Sequence, residues 1–332
     1  MKAIVVDDPG GADQMSLLDI PKPVCGNTDL LIRVYASALN RADIIQREGH
    51  YPAQHGASEI MGLELAGEVI ELGSDVTKFN VGDRVYGLSG GGGYAEIATL
   101  HQDLAMLIPD SFNYQYAASI PEVFFTANTV IRTLGKVQSG ERVLIHAGGS
   151  GVGIAATQIA KLLGAEVWVT VGSDEKCSRA LTLDSGVGGA DVAINYNTKN
   201  FVDEVIKRTL GVGVHLILDV VGASYLKSNV SCLSEEGKLI IVGLMSGAKA
   251  EIDLGRLLRD RIQVIGTVMR SRSHSDRVAM TRDFQKNIEP KLIDGRLKSV
   301  IDCVFPLREA AEAHRYMESN RNFGKIILDI AN

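Results

Sequence analysis

The sequence predicts an α/β fold in which a doubly wound parallel sheet is inserted into a β-rich domain. Three observations predict it. Up to about residue 120, short apolar strands alternate with glycine, proline and asparagine turns. Beyond that point strand and helix signals alternate at the lengths of a covered parallel sheet. Where the textures meet, the stretch RVLIHAGGSGVGIAATQIAKLLG, Arg142 to Gly164, runs an apolar strand into a glycine cluster and then into a helix.

In chain order, LLIRVYAS and ELAGEVIELG are the first clear strands, and VGDRVYGL and GGYAEIATL continue them. Around Pro121 the pattern changes, and EVFFTANTVIRTLGKV has the spacing of an amphipathic helix. Next come EVWVTVG as strand, KNFVDEVIKRTLG as helix, VHLILDVVG as strand, SYLKSNVSCL as helix, and KLIIVGL and IQVIGTV as strands. After about residue 272 a long helix, a strand at SVIDCVF, a helix at EAAEAHRYMES and a strand at GKIILDI follow. This tail is short for a domain of its own and is expected to pack on the N-terminal region. The expected domains are 1–121 with 273–332, and 122–272.

The glycine turn is the first functional signal. Val152, Ala155, Ala156, Ile159 and Leu163 recur at helical spacing after it, and Gly164 suits a helix C-terminus. Backbone N–H groups and the positive end of such a helix can hold a pyrophosphate. The fingerprint G-x-G-x-x-G falls on Gly148 to Gly153 with Ser150 at the middle glycine, where a hydroxyl could serve the phosphate. The plain alternative is a glycine-rich connection without a ligand. An NAD site wants an acid at the end of the second strand, but that strand ends in Val171 and Gly172. Ser173 and Lys176 offer a hydroxyl and a positive charge to a 2′-phosphate, which favours NADPH. Asp174 and Glu175 are read as first-turn acids facing solvent, and an ordinary capped helix start is the competing reading.

Composition narrows the partners. The net charge of −6 is spread along the chain without a basic block, so a nucleic-acid partner is not expected. MKAIVVDDPGG reads as a strand with acids rather than a leader, and no apolar run is long enough to span a bilayer. Cys25, Cys177, Cys232 and Cys303 are far apart and form no C-x-x-C pair. Free, mostly buried thiols in a reducing cytoplasm are the expectation.

At these residues the chain resembles a zinc-independent quinone oxidoreductase of the medium-chain dehydrogenase/reductase superfamily. The resemblance is carried by ASALNRADIIQREGHY, GLELAGEV, GDRVYGL, AASIPE, HAGGSGVG, ILDVVG, VGLMSG, VMRSRS and NFGKIIL, over nearly the whole chain. ALNRAD, GSGVG, GLMSG and RSRS most resemble the tumour-suppressor-inducible branch. The resemblance implies a GroES-like catalytic domain carrying an inserted Rossmann domain, with the active site in a cleft between them. It implies Ser150, Gly151, Val152 and Gly153 at the pyrophosphate, and Ser173, Lys176 and Tyr196 around the adenosine phosphate. Gly243, Leu244, Met245, Thr267, Val268, Met269 and Asn322 are implied on the nicotinamide side. It also implies a homo-oligomer, a dimer favoured, paired through the edge strand at IQVIGTV. Where zinc alcohol dehydrogenases carry ligand cysteine and histidine, this chain has Asn40 and Leu63, so no functional metal is expected. Of its seven histidines, His146 sits in the nucleotide strand and His50 and His55 in a loop.

Without a Lewis acid, an electron-poor acceptor is expected: a quinone, or a conjugated enone, that takes hydride and delocalises charge. Asn40, Asp43 and Tyr51 are the polar candidates to touch it. Each has a structural alternative: Asn40 as a turn former, Asp43 as a helix cap, Tyr51 as a rim aromatic. The alternative functions are reduction of α,β-unsaturated carbonyls or enoyl thioesters, and a non-catalytic NADPH- or RNA-binding role.

Overall fold

The structure is a computed structural model describing residues 1–53 and 56–331. His55 lies outside the described residues. The chain divides into two compact units, Met1–Val123 with Arg270–Gln285 and Ser299–Asn332, and Phe124–Met269 with Lys286–Lys298. The expectation gave all of 273–332 to the catalytic domain. Instead Lys286–Lys298 packs with the second unit, where Gln158 Nε2 donates to the Lys298 carbonyl at 2.8 Å and Gln158 Oε1 accepts from Lys298 N at 2.8 Å.

The first unit opens with β1 (Lys2–Val6) and β2 (Met15–Asp19), which pair antiparallel. Next are β3 (Asp29–Ala38), α1 (Arg41–Arg47), β4 (Glu64–Leu72), β5 (Arg84–Leu88), β6 (Ile97–His101), β7 (Ala105–Leu107) and α2 (Tyr114–Ala118). Strand β3 is the spine. It pairs antiparallel with β4 and β6, and β5 and β7 extend the sheet beyond β4. Leu30, Ile32 and Val34, alternate residues on one face of β3, pack with Leu65 and Val69 of β4 in one buried cluster. Gly67 of β4 sits where any Cβ would be 2.1 Å from the Arg33 carbonyl oxygen, so the register between β3 and β4 requires glycine there.

The second unit holds α3 (Pro121–Asn128), which begins at its border, β8 (Arg142–Ile145), α4 (Gly151–Leu162), β9 (Glu166–Val171), α5 (Asp174–Leu181) and β10 (Val192–Asn195). It continues with α6 (Phe201–Arg208), β11 (Val214–Asp219), α7 (Leu226–Cys232), β12 (Leu233–Ile241), α8 (Leu254–Asp260) and β13 (Gln263–Gly266). Its six strands are parallel in the order β10-β9-β8-β11-β12-β13, the doubly wound topology. Helix α3 passes into a π-helical turn at Thr129–Leu134. The stretch 123–131 is buried on every side, so the amphipathic reading of it is corrected: it is a core helix.

The tail supplies α9 (His274–Asn287), α10 (Glu289–Ile293), β14 (Ile301–Pro306), α11 (Ala310–Glu318) and β15 (Lys325–Asp329). Strand β15 joins β3 antiparallel and β14 parallel, which brings Lys325 next to the start of α1. All four cysteines are free, but only Cys232 is buried, so the expectation of mostly buried thiols does not hold. Among the described residues no helix is long and apolar enough to cross a membrane.

Candidate functional site

In the second unit the apolar strand β8 ends at Ile145, and the chain turns through Ala147 at a positive φ of 53° into α4. Ser150 is the N-cap: its Oγ accepts from Gly153 N at 3.0 Å, leaving its O–H proton free to donate. A Cβ on Gly153 would lie 2.4 Å from the Ala147 carbonyl oxygen, so a side chain there would displace the turn that aims N–H groups outward. The twelve-residue α4 ends at Leu163, with Gly164 just past it at φ 82°. Its N-terminus fits a pyrophosphate.

At the end of β9, Ser173 caps α5, accepting from Lys176 N at 3.1 Å. Tyr196 converges on the same turn: a Cβ on Gly172 would lie 2.7 Å from its hydroxyl oxygen. Asp174 and Glu175 are exposed, as read from sequence, but Asp174 is not free, since Asn195 Nδ2 donates to its Oδ1 at 2.8 Å. The loops after β12 and β13 leave neighbouring parallel strands, whose last pair is Ile241 with Gly266. Leu244 and Met245 on one, and Val268 on the other, expose apolar side chains there, while Met269 is nearly covered. This is the carboxyl edge where open parallel sheets bind ligands.

Beneath these loops lies a buried polar ladder that sequence reasoning missed. His146 accepts from Thr170 Oγ1 on Nδ1 (2.9 Å) and donates from Nε2 to Asn229 Oδ1 (2.7 Å), because the Asn229 amide nitrogen is already donating to Asp219 at 3.1 Å. Burial lowers the His146 pKa to about 4, so the ring is neutral.

The first unit gathers a second polar cluster around the start of α1. Lys325 Nζ donates to Glu64 Oε1 (2.7 Å), Asn40 Oδ1 (2.7 Å) and the Leu39 carbonyl (2.8 Å), with both charged side chains essentially out of solvent. Asn40 Nδ2 donates to Glu64 Oε1 at 2.8 Å, so the Asn40 side chain is fully committed to this network. Asp43 is completely buried. It accepts from Asn40 N (2.7 Å), Gly62 N (3.3 Å) and the Tyr94 hydroxyl (3.3 Å). The expectation that Asp43 touches an acceptor is therefore corrected: it reaches back from α1 to hold the turn before it, a cap rather than a reactive group. Burial pushes its pKa up to about 6, against the pull of the Asn40 N–H and Lys325.

Behind Asp43 the Tyr94 hydroxyl lies 3.2 Å from His314 Nε2, and His314 Nδ1 lies 3.2 Å from Arg47 Nη1. A guanidinium only donates, so Nδ1 accepts, Nε2–H donates to Tyr94, and Tyr94 donates to Asp43. Arg47 also pairs with Glu318 at 2.5 Å. Asn322 Nδ2 donates to the Gly324 carbonyl at 3.0 Å, which folds it onto the turn entering β15.

Tyr51 remains partly exposed and is held from behind. Arg270 lies over its ring, 4.7 Å from the centroid, and donates to the Tyr51 carbonyl (2.6 Å) and Gln46 Oε1 (2.7 Å). Burial raises the hydroxyl to about 12, with a further push from Glu122, so it stays protonated. Glu122 opens α3; its backbone N–H donates to Glu64 Oε2 at 2.8 Å.

A separate group, His101, Asp103 and His274, brings three metal-capable donor atoms within 4.8 Å of one another. There Asp103 pairs with Lys78, and His101 Nδ1 accepts the Asp103 N–H at 3.1 Å, so two of the donors are already engaged. Asn40 and Leu63, where zinc relatives place ligands, supply neither thiolate nor imidazole.

Two family descriptions match: alcohol dehydrogenase GroES-like domain over residues 26–110, and zinc-binding dehydrogenase over residues 151–287. A quinone oxidoreductase of Sus scrofa is 32% identical over 99% of this chain and 97% of its own. A phenolphthiocerol/phthiocerol polyketide synthase of Mycobacterium tuberculosis is 30% identical over 98% of this chain, which spans only 14% of the length of that relative. The solved structure of Escherichia coli quinone oxidoreductase complexed with NADPH superposes with a TM-score of 0.89 at 26% identity, over 99% of this chain and all of that one.

Proposed function

The chain belongs to the quinone oxidoreductase family of the medium-chain dehydrogenase/reductase superfamily, and from that premise we propose that it is an NADPH-dependent quinone reductase working without a metal. One observation carries the reading: a Ser150-capped, twelve-residue helix opens on a turn that a Gly153 Cβ would block. Bound there, NADPH supplies a hydride to the acceptor.

Ser150, Gly151, Val152 and Gly153 offer their N–H groups and one hydroxyl to the pyrophosphate. Ser173, Lys176 and Tyr196 meet the 2′-phosphate, with no acid ending β9 to repel it. Gly243, Leu244, Met245, Thr267, Val268 and Met269 form an apolar seat for the nicotinamide that keeps water away. Asn322 sits at the entry to β15 and is assigned to the same ring. Asn40 supports the site from within the buried network, and Tyr51 presents a neutral hydroxyl to an acceptor oxygen. The donor set at the family's zinc positions does not fit a metal, so electron-poor quinones are the acceptors that suit these residues. A homodimer is part of the proposal. Strand β13 is the sheet edge, with Val264 exposed, and an apolar edge favours being covered by a second copy.

The test is NADPH oxidation against ortho- and para-quinones, alkenals and an enoyl thioester, with metal analysis of the same sample. Turnover with quinones and no stoichiometric zinc is expected. Fast turnover with the thioester alone would replace the quinone reading by the enoyl reductase one.

A further inference from the structure

We propose that the first unit carries a binding site for a small organic monocarboxylate, whose charged end is held by Arg277. This goes beyond the reductase reading, since Asn40, Tyr51, Glu64 and Lys325 take no part in lining it.

The site is a cavity of about 370 Å³, walled by β6, by residues 56–58 with Ile60, by the glycine run 90–92 and by Arg277 of α9, all within the first unit. That volume is in the range of small-molecule pockets. Two of its walls meet because Gly91 has no side chain. A Cβ there would lie 2.5 Å from the Ser58 carbonyl oxygen and 2.8 Å from that of Ile60. Gly92 N donates to the Ile60 carbonyl at 2.7 Å, which ties the same two loops together. Leu100 and Leu104, buried with the core of the unit, give the cavity an apolar side.

Arg277 reaches this cavity without a counter-ion. It is half-buried, and its Nε is shut off from solvent with no hydrogen-bond partner among the described residues. Its Nη1 lies 3.8 Å from the Cβ position of Gly90, against the glycine wall. Burial weakens its hold on its proton, and no acid stands near enough to offset that. Other arginines of the unit are served: Arg47 pairs with Glu318, and Arg270 donates to the Tyr51 carbonyl and Gln46. A guanidinium stays charged and only donates, so the partner that completes Arg277 is an oxyanion. A carboxylate matches its planar fork with two parallel charge-assisted bonds.

Asp29 decides what the rest of the ligand can be. It lines the same cavity, yet it is too distant to support the Arg277 charge. It stands opposite His101 in the register of β3 with β6, and its charge is felt by His274. A guanidinium at one end and an acid at the other admit a single carboxylate. A second one would meet Asp29 and be repelled, whereas a hydroxyl at the far end could donate to Asp29 or Thr99. The apolar side between them suits a ring or a short chain.

The experiment is calorimetric titration of the full chain with 4-hydroxybenzoate, with 4-hydroxybenzyl alcohol, which lacks the charge, and with terephthalate, which carries a second one. Wild type is expected to bind 4-hydroxybenzoate about tenfold or more tightly than either. Arg277→Met, which keeps the apolar stem, should weaken 4-hydroxybenzoate by about tenfold or more. Asp29→Asn should strengthen terephthalate, and both variants should keep the NADPH affinity of wild type. Ser58→Trp, at an exposed position on the wall, should also weaken 4-hydroxybenzoate, and it serves should Arg277→Met fail to fold. No 4-hydroxybenzoate binding by wild type at millimolar concentration overturns the site, as does binding undiminished in Arg277→Met or Ser58→Trp. Terephthalate bound by wild type as tightly as 4-hydroxybenzoate overturns the monocarboxylate class. NADPH oxidation is read separately, so the reductase reading stands or falls by its own test.

Discussion

Lys325 and Glu64 meet at 2.7 Å although they are 261 residues apart, and neither side chain has more than a trace of exposure. The pair fastens β15 to β4 across the intervening β3, just where α1 begins. Breaking one partner leaves a buried charge uncompensated. Lys325→Met should cost about 3–5 kcal/mol in urea denaturation, and adding Glu64→Leu should restore much of it. A single-variant loss under about 1 kcal/mol would show that the pair does not hold the strands.

The buried imidazoles give the fold an acid limit. His146 titrates near 4 and His314 near 3, both below the ordinary 6.5, because burial penalises the charged ring. Each folded histidine therefore binds fewer protons than the unfolded one. Stability is complete above about 6.5 and falls as pH drops towards those values, by about 3 kcal/mol at pH 4 for His146 alone. Asp43, raised from 3.8 to about 6, acts in the opposite sense: its contribution is present below 3.8 and is lost as pH rises to 6. Urea midpoints between pH 4 and 7 should rise with pH if the two histidines prevail. Glu122, raised from 4.5 to about 8, also opposes them over this window. The cleaner reading is therefore the Glu122→Gln variant, in which a flat profile would mean that the two histidines are not neutral in the fold.

The phosphate turn has a sharp steric test. Gly153→Val puts a side chain against the Ala147 carbonyl, 2.4 Å from the Cβ position, and should weaken NADPH binding about tenfold or more in a fluorescence titration. Undiminished affinity would place the pyrophosphate elsewhere.

The choice between nucleotides rests on a charge. Lys176→Ala should reduce NADPH affinity by about tenfold while leaving NADH affinity nearly untouched, since only NADPH carries the 2′-phosphate. Equal losses for both would assign Lys176 to something other than that phosphate.

Arg270 is the support of Tyr51. Arg270→Ala removes bonds to the Tyr51 carbonyl and Gln46 and the cation above the ring. Steady-state kinetics should show kcat/KM for the quinone falling about tenfold with NADPH affinity preserved, the effect of about 1.4 kcal/mol of lost positioning. An unchanged kcat/KM would mean that Tyr51 is not part of the acceptor site.

The nucleotide half is the more legible in the sequence because its signals are local. Strand β8, the glycine turn and α4 are contiguous, and the cap on Ser150 spans only three residues. Ser173 and the missing acid at the end of β9 can be read the same way. The acceptor side is less legible. Polarity singles out Asp43, but all its bonding is directed inward. Nothing near Asn40 in the chain announces Glu64 or Lys325, which arrive from distant segments.

The sequence by itself determined the class of the fold, the order of its elements and the glycine turn before α4, because apolar periodicity, glycine backbone freedom and helix capping act over a few residues. Only the tertiary structure decided which polar side chains are buried supports and which keep access to solvent. Charge state and access depend on desolvation and on partners that the folded chain brings together from far along its length.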